Sequence, residues 1–248
     1  MPPIYFLYLL PLIFLAYFLK ATTGFGSMIV MLAVGSLIVG PVPALLLTAL
    51  LDVVSGLALL KLDTTKDRKK LWVPLSLAML VGVVLGALLL RLVALPRLQY
   101  VLGATLLLVG IWLIFIRKLS KGELPAQSLP AECKPNDILV CLLSGTSGGL
   151  TGISGPPLLY YFGSRFGKEA LRRILTRVFL IESITRITAY SLFGVMRLQI
   201  ILFGLAAIPV MYLGLRVGNR AFLKIPEASF GRLTGLIAIT SAVRLLLT

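Results

Sequence analysis

Residues 150–157 read LTGISGPP and separate two apolar runs, DILVCLLSG at 137–145 and LLYYFG at 158–163. Glycine and proline are the residues least compatible with the interior of a helix, and serine and threonine side chains compete for its backbone hydrogen bonds. We therefore expect one helix to end in this stretch and another to begin just after it.

The rest of the chain is strongly apolar. Of its 248 residues, 58% are hydrophobic and 13% are charged, and the mean hydropathy is +1.02, whereas soluble domains are about half apolar and a quarter charged. The composition therefore predicts an all-α polytopic membrane protein. Six segments are each long enough to cross a hydrocarbon core of about 30 Å: 43–60, 72–90, 98–116, 174–193, 198–215 and 229–247.

Composition also excludes several classes of site. The chain has no histidine and two cysteines, Cys133 and Cys141, which rules out His-based metal sites, zinc or iron–sulfur frameworks, and Ser-His or Cys-His nucleophiles. We expect no metal and no cofactor. The net charge of +15 does not indicate a nucleic-acid partner, because the basic residues are spread over the loops between spans rather than gathered in one domain.

The basic loops predict the topology. Most of the 24 Lys and Arg residues fall in four segments that the positive-inside rule assigns to the cytoplasm: 61–70, 117–137, 165–173 and 216–224. The loops near 41, 91–97 and 194–197 carry few charges. These loops, and with them both chain termini, are expected on the non-cytoplasmic side.

The second half of the chain repeats the first at an offset of about 130 residues. LLDVVSGL at 50–57 matches LIESITRI at 180–187, and TTGFGS at 22–27 matches LTGISG at 150–155. A fixed period of this kind indicates a repeat architecture. The predicted units are a first repeat (1–116), a cytoplasmic linker (117–137) and a second repeat (138–248).

Equivalent loops of the two copies differ in charge. The basic loop 61–70 corresponds to the nearly uncharged turn 194–197, and the weakly charged loop 91–97 corresponds to the basic segment 216–227. Equivalent loops are therefore expected on opposite sides of the membrane. Such an inverted-topology repeat is typical of secondary transporters, whose substrate site lies at the repeat interface near the bilayer midplane.

Each copy is predicted to open with a hairpin that precedes its three spans. Residues 138–164 are flanked by basic loops, yet they are too few for two crossings, so they should form a re-entrant hairpin with LTGISGPP at its tip. By symmetry, residues 4–40 would enter from the other side with KATTGFGS, 20–27, as the tip. Two short full spans remain the alternative for this longer segment.

The hairpin tips are the predicted anion site. The returning arms should begin at about Phe25 and Pro156, so that free backbone N–H groups and the positive helix ends face the membrane centre. Serine and threonine hydroxyls add uncharged donors. The alternative is that the glycines only allow close helix packing. The candidate binding residues of the tips are Thr22, Thr23, Gly24, Phe25, Gly26, Ser27, Ser147, Gly148, Gly149, Thr151, Gly152, Ser154, Gly155 and Pro156.

Ionisable residues inside the spans are further candidates, because they are costly in a membrane. Asp52 and Glu182 occupy equivalent repeat positions, and Arg186 lies four residues after Glu182 on the same helix face. One interpretation is a self-neutralising Glu182–Arg186 pair. The other makes Asp52 or Glu182 a carrier of a coupling proton and Arg186 a substrate-binding residue. Lys20 is expected to reach the membrane interface if the first arm crosses fully.

The motifs TGFGS at 23–27 and GGLTGISGPP at 148–157, each followed by three spans, resemble the TauE/SafE sulfite exporter family, also called the toluene sulfonate uptake permease family. The likeness extends from about Leu19 to Leu247. It implies a secondary carrier, and an exporter in particular, for sulfite, organosulfonates or related sulfur-containing or carboxylate anions, without ATP or an organic cofactor. It also implies a place in the prokaryotic cell membrane.

We therefore expect a transporter that moves a small anion by alternating access between two hairpin tips. The first alternative is a passive anion channel in which the same tips form a selectivity constriction. The second is a membrane enzyme with Asp52 and Glu182 as acid and base; it is disfavoured because no nucleophile or metal set accompanies them. The expected partners are the small anion, the lipid bilayer and a coupling proton.

Overall fold

The structure, a computed structural model, describes residues 3–24, 26–61, 69–92, 95–115, 133–163, 165–166, 168–221 and 227–247. All regular secondary structure in these residues is helical. Most of the predicted linker 117–137 lies outside the described residues. The elements are α1 (Pro3–Thr23), α2 (Ser27–Val30), a π-helical turn (Met31–Gly35), α3 (Ser36–Val39), α4 (Pro41–Lys61), α5 (Lys69–Leu92), α6 (Leu95–Phe115), α7 (Pro135–Thr151), α8 (Gly155–Gly163), α9 (Lys168–Leu192), α10 (Leu198–Ala221) and α11 (Glu227–Leu247).

Three helices of the described part are long and apolar enough to cross a membrane: Pro41–Lys61, Leu71–Leu92 and Leu198–Ala221. Helices suit this environment because every backbone group inside them is hydrogen-bonded without water. The protein is accordingly an integral membrane protein. Helices also cover the other three predicted spans; that of α9 is less apolar because Arg177, Glu182 and Arg186 interrupt it.

Helices of the first half pack against helices of the second half in two pairs, which we call the exchanged pairs. Helix α5 of the first half lies along α7 of the second, and α10 of the second half lies along α1 of the first. In chain order α5 corresponds to α10 and α1 corresponds to α7, so the same type of pair forms twice. Two further contacts, α6 with α11 and α4 with α9, join corresponding helices of the two halves, and α9 and α4 also contact α5 and α10, respectively.

Glycines allow the exchanged pairs to approach closely. Gly82 and Gly86 of α5 face the backbone of α7, and Gly214 and Gly218 of α10 face the backbone of α1, so that a Cβ atom at any of them would overlap the neighbouring helix. Each pair of glycines is spaced four residues apart, the spacing that brings small residues to one face of a membrane helix. Part of the glycine content therefore serves packing. Among the tip glycines, for which packing was the alternative role, Gly149 lies against the backbone of α5 in the same way.

In each of the two predicted hairpins, the helix is interrupted at the stretch that contains the tip glycines. The first break lies between α1 and α2 and the second between α7 and α8, where Gly26 (φ 105°) and Gly152 (φ 76°) adopt left-handed backbone conformations. Other residues adopt these conformations at a cost of about 1–2 kcal/mol. The returning arms begin at Ser27 and Gly155, close to the positions predicted from the sequence.

Candidate functional site

The two helix breaks meet around one small cavity. A Cβ atom on Gly152 would overlap the side chain of Met28, the second residue of α2. The cavity between the breaks has a volume of about 40 Å³, enough for a few water molecules or a small ligand. The predicted residues that line it are Gly26, Ser27, Gly152, Ser154, Gly155, Pro156, Asp52, Glu182 and Arg186.

Other predicted tip residues lie around the cavity without lining it. The Thr22 hydroxyl donates to the Leu19 carbonyl within α1, 3.0 Å away, and Gly24 lies beside the Arg172 side chain of α9. Phe25 lies outside the described residues, as does the side chain of Thr23. In the second hairpin, the predicted residues that do not line the cavity are Ser147, Gly148, Gly149 and Thr151, and Gly149 packs against the backbone of α5.

Ser147 and Thr151 shape the second break. The Ser147 hydroxyl donates to the Ile153 carbonyl over 2.8 Å. Thr151 donates to the Ser147 carbonyl over 2.9 Å and accepts from the Ile153 N–H over 3.3 Å. These bonds satisfy backbone groups that the end of a helix leaves open. The two hydroxyls therefore hold the chain in its bent form.

Asp52, in the middle of α4, receives four hydrogen-bond donors. Its Oδ1 accepts from the Tyr17 hydroxyl (3.1 Å), the Lys20 ammonium (2.7 Å) and the Ser27 hydroxyl (2.9 Å). Its Oδ2 accepts from Arg186 over 2.9 Å. The carboxylate thereby connects α1, the start of α2, and α9. Such multiple pairing is what allows a carboxylate to remain ionised when buried.

Lys20 lines the cavity. It was expected at the membrane interface only if the first arm crosses the membrane fully. Its residue is only 6% exposed, and its ammonium group donates to Asp52 and, over 2.8 Å, to Ser55. From the sequence, Lys20 was a weaker candidate within the predicted tip 20–27 and was not assigned to the binding residues, and Tyr17 was not predicted at all. One signal was available, since Tyr17, Lys20 and the break at Gly24 are spaced as one face of α1.

Arg186 connects the two halves of the chain. Its guanidinium bonds Asp52 of the first half, contacts Glu182 of the second half at 3.4 Å, and donates to the Gly152 carbonyl over 3.1 Å. The Arg186 Nε is buried and has no hydrogen-bond partner among the described residues. Glu182 accepts a 2.8 Å bond from the Ser154 hydroxyl. The pair with Glu182 therefore exists, but the shorter contact of Arg186 is with Asp52.

The charges of the site balance. Lys20 and Arg186 face Asp52 and Glu182, and buried charges persist in proteins when they are paired in this way. Gly26, which precedes α2, has no side chain to cap the backbone N–H groups of its first turn. No group of three or more His, Cys, Asp or Glu within the described residues could hold a metal ion.

Comparison with known proteins gives one result. A family model described as Sulfite exporter TauE/SafE matches residues 9–245, nearly the whole chain. No curated protein and no solved structure matches.

Proposed function

The chain belongs to the sulfite exporter TauE/SafE family, and from this premise we propose that it exports sulfite, or a related organosulfonate, sulfur-containing or carboxylate anion, through the cavity between its two helix breaks. The protein acts as a secondary transporter. The observation that carries the proposal is the cavity itself: both breaks line it, and so does buried Arg186, whose Nε has no hydrogen-bond partner in the described part of the chain.

The proposed architecture is an inverted repeat. Helix α8 has nine residues and is about 14 Å long at 1.5 Å per residue, less than half of the hydrocarbon thickness. The α7–α8 hairpin therefore turns back within the membrane in this proposal. The exchanged packing of α5 on α7 and of α10 on α1 supports two copies related by an approximate two-fold axis, the arrangement of many secondary transporters.

The position of the Arg186–Asp52 ion pair supports an alternating-access mechanism. The Arg186–Asp52 contact joins the two halves directly beside the cavity. A rocking motion of one half against the other would open the cavity to one side at a time, and an anion that takes over the guanidinium would favour the rearrangement. Ligands shift such equilibria only through different contacts in the two states.

Sulfite counterflow in proteoliposomes tests this function. Vesicles loaded with unlabelled sulfite should accumulate labelled sulfite transiently against its gradient, because a carrier exchanges one anion for another at a single site. Protein-free vesicles serve as the control. Large sulfite currents without counterflow would show a channel, and the lack of any sulfite movement would remove the proposed substrate.

Cysteine labelling tests the inverted topology. Lys61→Cys and Arg197→Cys, each in a chain with Cys133→Ser and Cys141→Ala, mark equivalent ends of the two copies. A membrane-impermeant thiol reagent applied to whole cells should label the Arg197→Cys protein, and the Lys61→Cys protein should react only after the cells are opened. Labelling of both from outside would contradict an inverted repeat.

A further inference from the structure

The two carboxylates of the cavity are bound differently. Asp52 accepts four bonds, among them short contacts with two cations, Lys20 and Arg186. Glu182 accepts one short bond from the uncharged Ser154 hydroxyl and makes one long contact of 3.4 Å with Arg186. Glu182 is therefore the carboxylate whose negative charge is less firmly held.

The partners also differ in how they respond to a proton. Asp52 has hydroxyl partners in Tyr17 and Ser27, but a proton on it would also weaken its bonds with Lys20 and Arg186, which are donors only. A serine hydroxyl both donates and accepts, so Ser154 can rotate and receive the bond of a protonated Glu182. Gly148 leaves room for this carboxylate: a Cβ atom at that position would come within 2.6 Å of Oε1 of Glu182.

From these contacts we propose that Glu182 exchanges a proton during each transport cycle while Asp52 stays ionised. The assignment rests on the proposed transport function. Protonation of Glu182 weakens its contact with Nη1 of Arg186, and the guanidinium, whose Nε bonds none of the described residues, turns to the incoming anion. The proton enters from the water on the side where the anion binds, and it leaves with the anion on the other side.

The charge balance of the cavity gives the number of protons that move with each anion. With both carboxylates ionised, Lys20, Arg186, Asp52 and Glu182 sum to zero. One monovalent anion together with one proton on Glu182 restores zero in the loaded cavity. The empty and the loaded carrier then both cross the membrane field as neutral sites, so net transport of a monovalent anion is electroneutral.

The groups around Glu182 are consistent with a single exchanging site. Arg186 and Tyr190 share its helix, Lys20 faces it from α1, and Asp52 faces it from α4. Among the described side chains of α5, α7 and α8, the titratable ones do not line the cavity: Arg91 on α5, Asp137 and Cys141 on α7, and Tyr160 and Tyr161 on α8.

The experiment measures radiolabelled sulfite flux in proteoliposomes in mildly acidic buffer, where monovalent hydrogen sulfite predominates. The parent protein should show net flux that is insensitive to membrane potential and falls as the pH rises. Glu182→Gln leaves the empty cavity with one uncompensated positive charge, so net flux should drop at least about tenfold, become potential-dependent and lose its pH dependence. Exchange of labelled for unlabelled sulfite should fall far less, because the loaded carrier stays neutral.

Glu182→Asp is the matched control, since it keeps a carboxylate and should keep the pH profile and the electroneutral flux. Potential-dependent net flux in the parent protein, or a pH profile that persists in Glu182→Gln, would overturn the assignment and leave the transport function intact. Absence of sulfite counterflow in the parent protein would overturn both.

Discussion

Asp52→Asn is expected to stop transport and to lower the free energy of unfolding by about 3–5 kcal/mol, the usual cost of removing one partner from a buried ion pair. The expectation follows from the contacts of this side chain. Lys20 and Arg186 would keep their charges inside the bundle with only Glu182 to balance them. The two halves would also lose the direct bridge beside the cavity.

Sulfite counterflow and thermal unfolding in detergent measure the two effects. Counterflow should fall at least about a hundredfold, because losing about 3 kcal/mol of interaction free energy at the site amounts to more than two factors of ten, at 1.4 kcal/mol for each. Asp137→Asn provides a matched control. Asp137 is a fully buried carboxylate bonded to Tyr161 and Arg165 near the start of α7, so its loss should lower stability and leave counterflow detectable. An Asp52→Asn protein with the stability and transport of the parent would show that Asp52 does not hold the site together.

The second large effect is expected for Gly152→Leu, which should abolish sulfite binding. Gly152 has a φ of 76°, and a side chain there would overlap Met28 and Leu45. A leucine would therefore strain the break and occupy the cavity. Calorimetric titration of the purified variant with sulfite should give no measurable heat of binding, while the protein still inserts into the membrane.

Gly194→Leu is the control that distinguishes the effect of backbone strain from the effect of a side chain that fills the cavity. Gly194 has a similar φ of 71° in the turn between α9 and α10, but no atom lies within 4 Å of a Cβ placed on it. This variant should bind sulfite with the affinity of the parent. Parent-like affinity in Gly152→Leu would mean that the anion binds elsewhere.

The helix breaks were predictable because their cause is local. Gly152, Pro156 and Pro157 place residues that disfavour a helix interior in one short stretch, and GFG at 24–26 concentrates two glycines in three residues. The same locality accounts for the predicted starts of the returning arms. Membrane insertion was likewise readable from composition, since it depends on the sum of many apolar residues.

The charge network was less predictable because it depends on which helices meet. Asp52 and Arg186 are 134 residues apart in sequence, and only the contact of α4 with α9 brings them together. Lys20 would be ordinary at a membrane interface; here it is buried where its ammonium bonds Asp52 and Ser55 of α4. Thr22, Ser147 and Thr151 were expected to face an anion as donors, but their hydroxyls bind nearby backbone carbonyls.

An experimental structure of the protein with sulfite bound tests the account most directly. It should show the anion between the two breaks, within hydrogen-bond distance of Arg186 and of Ser27 or Ser154. Density for the anion outside this cavity, or helices that run straight through residues 24–26 and 152–154, would contradict the account.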